Sequence, residues 1–146
     1  MKLHLLLGAV MFALSFAVTP AAHAQSEQAP AAQRSGAQAV INSQINAFKT
    51  REHDKAFSHA APNLQKIFGD TDRFIGMVKS GYGAIYGAQN WSFGRSGMQG
   101  ETLYQEVLIT GPNGREWLAL YTMKQGSDGV WRIHGVQMKQ GQAQST

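Results

Sequence analysis

The chain has 146 residues, with 13 Lys and Arg against 9 Asp and Glu, a formal charge of +4, and no cysteine. The lack of thiols excludes disulfides, thiolate metal sites, cysteine nucleophiles and a lipid-bearing cysteine anchor. No two basic residues are adjacent, so the charge reads as solubility; a nucleic-acid surface needs its basic residues gathered on one face.

At the amino terminus, Met1-Lys2 supplies a positive start, Leu5 to Val18 is a nearly unbroken apolar run, and Ala22-His23-Ala24 is a small-x-small site. This pattern predicts a secretory signal peptide over residues 1–24, cleaved after Ala24. The apolar run falls short of the ~20 residues a membrane-spanning helix needs; the alternative is an uncleaved anchor. The mature protein is expected in the periplasm or outside the cell, without membrane attachment. Residues 25–35, rich in Gln, Ala, Ser and Pro, read as a flexible leader, and residues 140–146 as a flexible tail. Residues 36–139 then form a single domain, large enough to bury a core without staples.

The first helix is predicted from about Gly36 to Thr50, with Ile41, Ile45 and Phe48 forming a narrow apolar stripe. Asp54 is placed to cap a second helix containing Ala56, Phe57, Ala60 and Ala61. Pro62 starts a short helical turn through Leu64, Ile67 and Phe68, which Gly69 stops. Asp70, Thr71 and Asp72 open a third helix carrying Phe74, Ile75, Met77 and Val78, with Lys79 and Gly81 at its end.

After Gly81 the period changes. Tyr82 to Tyr86 reads as a linker or edge segment, followed by strands near Gln89 to Arg95, Glu101 to Thr110, Arg115 to Lys124 and Val130 to Met138. Gly111-Pro112-Asn113-Gly114 and the Asp128-Gly129 dipeptide supply turn chemistry between the later strands. The sum is an α+β fold: three N-terminal helices packed on a curved four-stranded antiparallel sheet.

With both later turns counted as even, one sheet face carries Leu103, Val107, Ile109, Leu118, Leu120, Trp131 and Ile133. The other carries Tyr104, Glu106, Leu108, Trp117, Ala119, Tyr121, His134, Val136 and Met138. The favoured arrangement lays the helices over the aliphatic face, so that Tyr82, Tyr86, Trp91, Leu120 and Trp131 line an apolar ligand pocket. The aromatic face is then a self-association surface. In the reversed arrangement Glu106, Tyr104, Tyr121 and His134 converge in the pocket. There a desolvated carboxylate with tyrosine donors would abstract a proton and stabilise an enolate.

The His53-Asp54-Lys55-Ala56-Phe57 helix start and the terminal Asp128-Gly129-Val130-Trp131-Arg132-Ile133 strand resemble the nuclear transport factor two-like superfamily. Those proteins are cone-shaped α+β rolls, and ketosteroid isomerase is among them. More narrowly, Ala47-Phe48, Ala56-Phe57-Ser58, Phe74 to Val78 with Gly81-Tyr82, and Trp117-Leu118-Ala119-Leu120-Tyr121 resemble a bacterial family of exported proteins with no assigned function. The resemblance spans about residues 37–138. It implies a small ligand held between helices and sheet, and dimerisation through the sheet. Its motifs are structural, so it speaks to fold more than to activity.

Each candidate also has a plain structural role. Asp54 beside His53 is a helix cap before it is a base. Glu106 pairs with a basic neighbour such as Arg115 or Arg132, and Tyr82 and Tyr86 pack the core. His53, His59 and His134 lack the four-residue spacing of a chelating pair, so no metal and no cofactor is expected. Three functions follow in order: a small-molecule binding module, a homodimeric interaction scaffold, and an acid–base enzyme using Glu106 with Tyr121 and His134.

Overall fold

In the computed structural model, which describes residues 28–141, five helices precede an open antiparallel sheet whose strands neighbour one another in chain order. The helices are α1 (Ala31–Lys49), α2 (His53–Ser58), α3 (Pro62–Phe68), α4 (Thr71–Gly81) and α5 (Gly83–Tyr86). The strands are β1 (Asn90–Gln99), β2 (Thr102–Thr110), β3 (Glu116–Gln125) and β4 (Trp131–Gln140). The expected signal peptide and its cleavage site lie outside the described residues. Among the described residues no helix is long and apolar enough to cross a membrane.

Helix α1 starts at Ala31, ahead of the expected Gly36, and so takes in part of the expected leader. Ala29 is buried just before it, and the Arg34 guanidinium donates to the Ala29 carbonyl at 3.2 Å. Ala37, Ile41, Ile45 and Phe48 recur every three or four residues and face the core. The helix ends in paired reverse bonds: the Glu52 amide donates to the Ala47 carbonyl at 2.9 Å and the Arg51 amide to the Phe48 carbonyl at 3.3 Å. This is a Schellman ending, and it puts Arg51 at φ 62°, a left-handed position usually given to glycine.

Five helical segments stand where three helices were expected. The turn at Pro62 is a helix in its own right, with Pro62 in its first turn and Gly69 at φ 84° stopping it. The expected linker closes into α5 because Ile85 is drawn into the core. Asp54 does not cap α2, which begins one residue earlier; its carboxylate instead accepts the Thr71 hydroxyl at 2.6 Å and ties α2 to α4. Asp70 caps α4 as expected, accepting the Arg73 amide at 2.8 Å.

The sheet register differs from the expected one in three places: both later turns are odd, since Gln125 pairs with Trp131 across five residues just as the β2–β3 loop has five, and β4 carries a bulge. Thr110 pairs with Glu116, so five residues rather than four join β2 to β3. The Gly111 amide closes this loop onto the Arg115 carbonyl at 2.8 Å. An odd loop reverses which β2 residues share a face with β3. Leu103, Gln105, Val107 and Ile109 therefore stand across from Met123, Tyr121, Ala119 and Trp117, while Tyr104, Glu106 and Leu108 join Thr122, Leu120 and Leu118 on the opposite face. Between β3 and β4 a bulge makes His134 the extra residue: Thr122 pairs with Gly135 and Met123 with Ile133. The bulge lets Ile133 and Val136 both lie across from core-facing residues of β3, Met123 and Tyr121.

The helices cover the face that carries Tyr121. Leu103, Val107, Ile109, Ala119, Tyr121, Met123, Trp131 and Ile133 are all buried with the apolar stripes of α1 and α4. Two buried residues of the sheet there are polar, the paired Ser96 and Gln105. Gln105 donates to the Gly94 and Arg95 carbonyls at 3.2 and 3.3 Å and accepts from the Gln38 amide of α1 at 3.0 Å. Those two carbonyls lie at the irregularity of β1 between Phe93 and Ser96, so the glutamine satisfies what the strand pairing leaves open. At the other border, the Ile133 amide donates to the His59 carbonyl and the Ala61 amide to the Ile133 carbonyl, both at 2.9 Å. The Tyr82 hydroxyl donates to the Val136 carbonyl at 3.0 Å, stitching β4 to the helices.

Candidate functional site

A cavity of about 190 Å³ lies between the helices and the sheet. Gln44 and Phe48 of α1, Leu64 and Phe68 of α3, and Phe74, Met77 and Val78 of α4 line it from the helical side, with Tyr82 and Ile85 following. Tyr121 of β3 and the Ile133–Val136 stretch of β4 line it from the sheet. The aromatic wall is continuous: the Phe74 ring lies 6.1 Å from that of Phe48 and 5.6 Å from that of Phe68, centroid to centroid. Helix α3 contributes two wall residues but buries none fully.

The wall contains no Asp, Glu, Lys or Arg. Its polar groups are few. The Gln44 amide donates to the Ala56 carbonyl at 3.1 Å, and the Tyr82 hydroxyl is held by Val136. Tyr121 is fully buried, and its hydroxyl has no hydrogen-bond partner. Burial raises the Tyr121 phenol above its ordinary value, so it stays a protonated donor. His134 is pushed below its usual value by burial and, secondarily, by Lys124, which favours neutral imidazole at pH 7. Such a wall favours a neutral, mostly apolar guest.

Of the residues expected to matter, Tyr82, Tyr121 and His134 line this cavity. The others do not meet there. Glu106 lies on the opposite sheet face from Tyr121, where its carboxylate takes the Arg95 guanidinium in a two-pronged pair at 2.9 and 3.1 Å and accepts the Arg95 amide at 3.2 Å. These bonds hold its carboxyl below the ordinary value. Its partner is thus neither Arg115 nor Arg132. Arg132 instead holds Asp128 at 2.7 Å and pulls that carboxyl down to about 2. Leu120 stands across from Glu106 on the same outer face. The proposed convergence of Glu106 and Tyr104 with Tyr121 fails for one reason, the odd loop after β2.

The remaining aromatics pack elsewhere. Tyr86 is enclosed by Phe48, by the Arg51 guanidinium 4.5 Å above its ring and by Lys79 at 5.3 Å, and its hydroxyl meets His53 Nε2 at 3.1 Å. Trp91 donates its indole N–H to Asn42 at 3.0 Å, with Lys49 over the ring. Trp131 packs against α1 at Gly36. Sequence periodicity marked Phe48, Phe68, Phe74 and Met77 as apolar stripe residues; that they surround a void depends on how three helices meet, which no single stripe encodes. Among the described residues no three His, Cys, Asp or Glu side chains gather as a metal site.

An open four-stranded antiparallel sheet with helices over one face and an apolar cavity between them defines an α+β domain. Residues 30–146 match the family described as a domain of unknown function, DUF4864, and the chain belongs to that family. No curated protein and no solved structure matches the chain.

Proposed function

We propose that this protein is an exported binding module that holds a small apolar molecule between its helices and its sheet. The observation that carries this reading is the cavity, walled by Phe48, Phe68, Phe74 and Met77 and free of charged side chains. An apolar cavity of ~150 Å³ is large enough for benzene. The ~190 Å³ here suits one ring with a short substituent. The helices-first order and the strand meander support reading the fold as a nuclear transport factor two-like cone. The apolar run Leu5 to Val18 and the Ala22-His23-Ala24 site support export; recovery of the exported protein with Met1 intact refutes the cleavage.

A thermal-shift screen of monocyclic hydrocarbons tests the binding reading. A guest at 100 times its dissociation constant adds about 2.7 kcal/mol to stability. The shift disappears in a Val78→Phe variant that fills the cavity. A broad library without one hit that Val78→Phe abolishes removes the reading.

A second reading rests on the outer sheet face. Leu108 is 49% exposed and stands across from Leu118, with Tyr104 and Leu120 on the same face. This apolar surface supports a homodimer formed sheet to sheet. Sedimentation giving a monomer at tens of micromolar, unchanged in Leu108→Lys, removes it. The acid–base reading loses its base, because Glu106 is bound to Arg95 away from the cavity.

A further inference from the structure

We propose that Arg51 and Lys79, brought together at the ring of Tyr86, form a binding site for the phosphate group of a soluble phosphate monoester. None of the three lines the cavity, so the site stands whether or not the cavity holds a guest.

Three elements supply the parts. Arg51 follows α1, Lys79 lies in the last turn of α4, and Tyr86 ends α5. The Arg51 guanidinium stands 4.5 Å from the Tyr86 ring centre, and the Lys79 ammonium 5.3 Å from the same centre. The ring is itself held in place, packed against Phe48 and joined through its hydroxyl to His53 Nε2 at 3.1 Å. Lys49, two residues before Arg51, adds a third cation over Trp91.

The fold leaves these charges without a counter-ion. The ion pairs among the described residues include none of the three. The carboxylates nearest in sequence are engaged: Glu52 accepts the Thr50 hydroxyl at 2.6 Å and pairs with Lys55, and Asp54 accepts the Thr71 hydroxyl. Two cations held to one ring repel each other, and the electron-rich ring face offsets only part of that. A bound anion offsets the rest.

The helix dipole accounts for Lys79 at the end of α4. It does not account for an arginine at φ 62°, a conformation glycine would hold at almost no cost. Such an outlier directs attention to what the side chain does. The guanidinium bonds within the protein come from Arg34, Arg95 and Arg132, which leaves the Arg51 fork free among the described residues. Laid on the ring, that planar fork is pre-oriented for two oxygens of one group. Two positive charges match the dianion of a monoester rather than the single charge of a diester.

Two probes too small to carry a ring separate the possibilities: methyl phosphate, a dianion at pH 7.5, and dimethyl phosphate, which carries one charge. Titration of the purified protein at low salt is followed through its amide resonances. Methyl phosphate is expected to saturate, with shifts centred on Arg51, Lys79 and Tyr86, and dimethyl phosphate to bind about tenfold more weakly. Arg51→Gly and Lys79→Gln are each expected to weaken methyl phosphate about tenfold. Arg51→Lys, which keeps the charge without the fork, is expected to recover only part of that loss. Lys139→Gln, which removes an equal charge on β4, is expected to leave binding unchanged. No saturation by methyl phosphate, or an equal loss in Lys139→Gln, overturns the inference and leaves the cavity reading intact. Dimethyl phosphate binding as tightly as methyl phosphate also overturns it. So does Arg51-dependent binding to phosphatidylglycerol vesicles without binding of methyl phosphate, which gives the site to a membrane surface.

Discussion

Gly36 of α1 lies so close to the Trp131 indole that a Cβ built on it falls 2.8 Å from both Cδ1 and Nε1. Alanine in a helix interior normally stabilises by about 0.5–1 kcal/mol over glycine. Here the sign reverses, because the indole is buried and its neighbours are packed. Gly36→Ala is expected to destabilise by about 1–3 kcal/mol. Pairing it with Trp131→Phe recovers part of the loss, so the two changes are non-additive in urea midpoints.

Arg51 makes the opposite case. A left-handed conformation costs an ordinary residue about 1 kcal/mol or more, and glycine nearly nothing. The guanidinium over Tyr86 returns about 0.5–1 kcal/mol. Arg51→Gly is therefore expected to be close to neutral, while Arg51→Ala keeps the backbone cost and loses the ring contact. The glycine variant should exceed the alanine variant by about 1 kcal/mol in chemical denaturation.

Tyr121→Phe removes a buried hydroxyl that has no partner. Without ligand the variant is expected to be as stable as the wild type, or more stable by up to about 1 kcal/mol. A loss of that size in calorimetry instead means that the hydroxyl is satisfied within the protein itself.

His59 shares a hydrogen bond with the Ser43 hydroxyl at 2.9 Å, and burial, then Lys55, lowers its pKa from 6.5. The unfolded chain thus takes up a proton before the folded one does. Stability is whole above the unfolded value and declines as the pH falls below it toward the depressed folded value. The urea midpoint should drop between about pH 7.5 and about pH 5.5, with His134 acting in the same sense, and His59→Gln should shrink the drop.

Glu106→Gln separates the two sheet faces. Losing the carboxylate frees Arg95 and loosens the irregular part of β1, so the melting temperature is expected to fall. Binding in the cavity should be unaffected, since Glu106 lies on the other face. Lost binding in a folded variant refutes that separation.

The meander was legible because its turns carry their own chemistry. Asp128-Gly129 sits in a loop where Gly129 adopts φ 78°, and Asp70 followed by Thr71 announces a helix start. What was not legible is parity. Gly111 to Gly114 supplies four turn residues, and nothing in the sequence says that Arg115 completes the loop as a fifth. That one residue exchanges Gln105 for Glu106 on the covered face. The bulge at His134 is similarly silent; it sits next to Ile133, whose amide and carbonyl meet His59 and Ala61. Tyr121 was expected in the cavity only in the reversed arrangement, beside Glu106 and Tyr104, which stand on the opposite face.

The stitching of β4 has a consequence for how these molecules coexist at high concentration. A sheet open at both ends invites strangers to add further strands. Here one margin has its amide and carbonyl at Ile133 already taken by the chain's own elbow, and the other is crimped between Phe93 and Ser96. Each rim is thus interrupted at one point against the addition of a foreign strand.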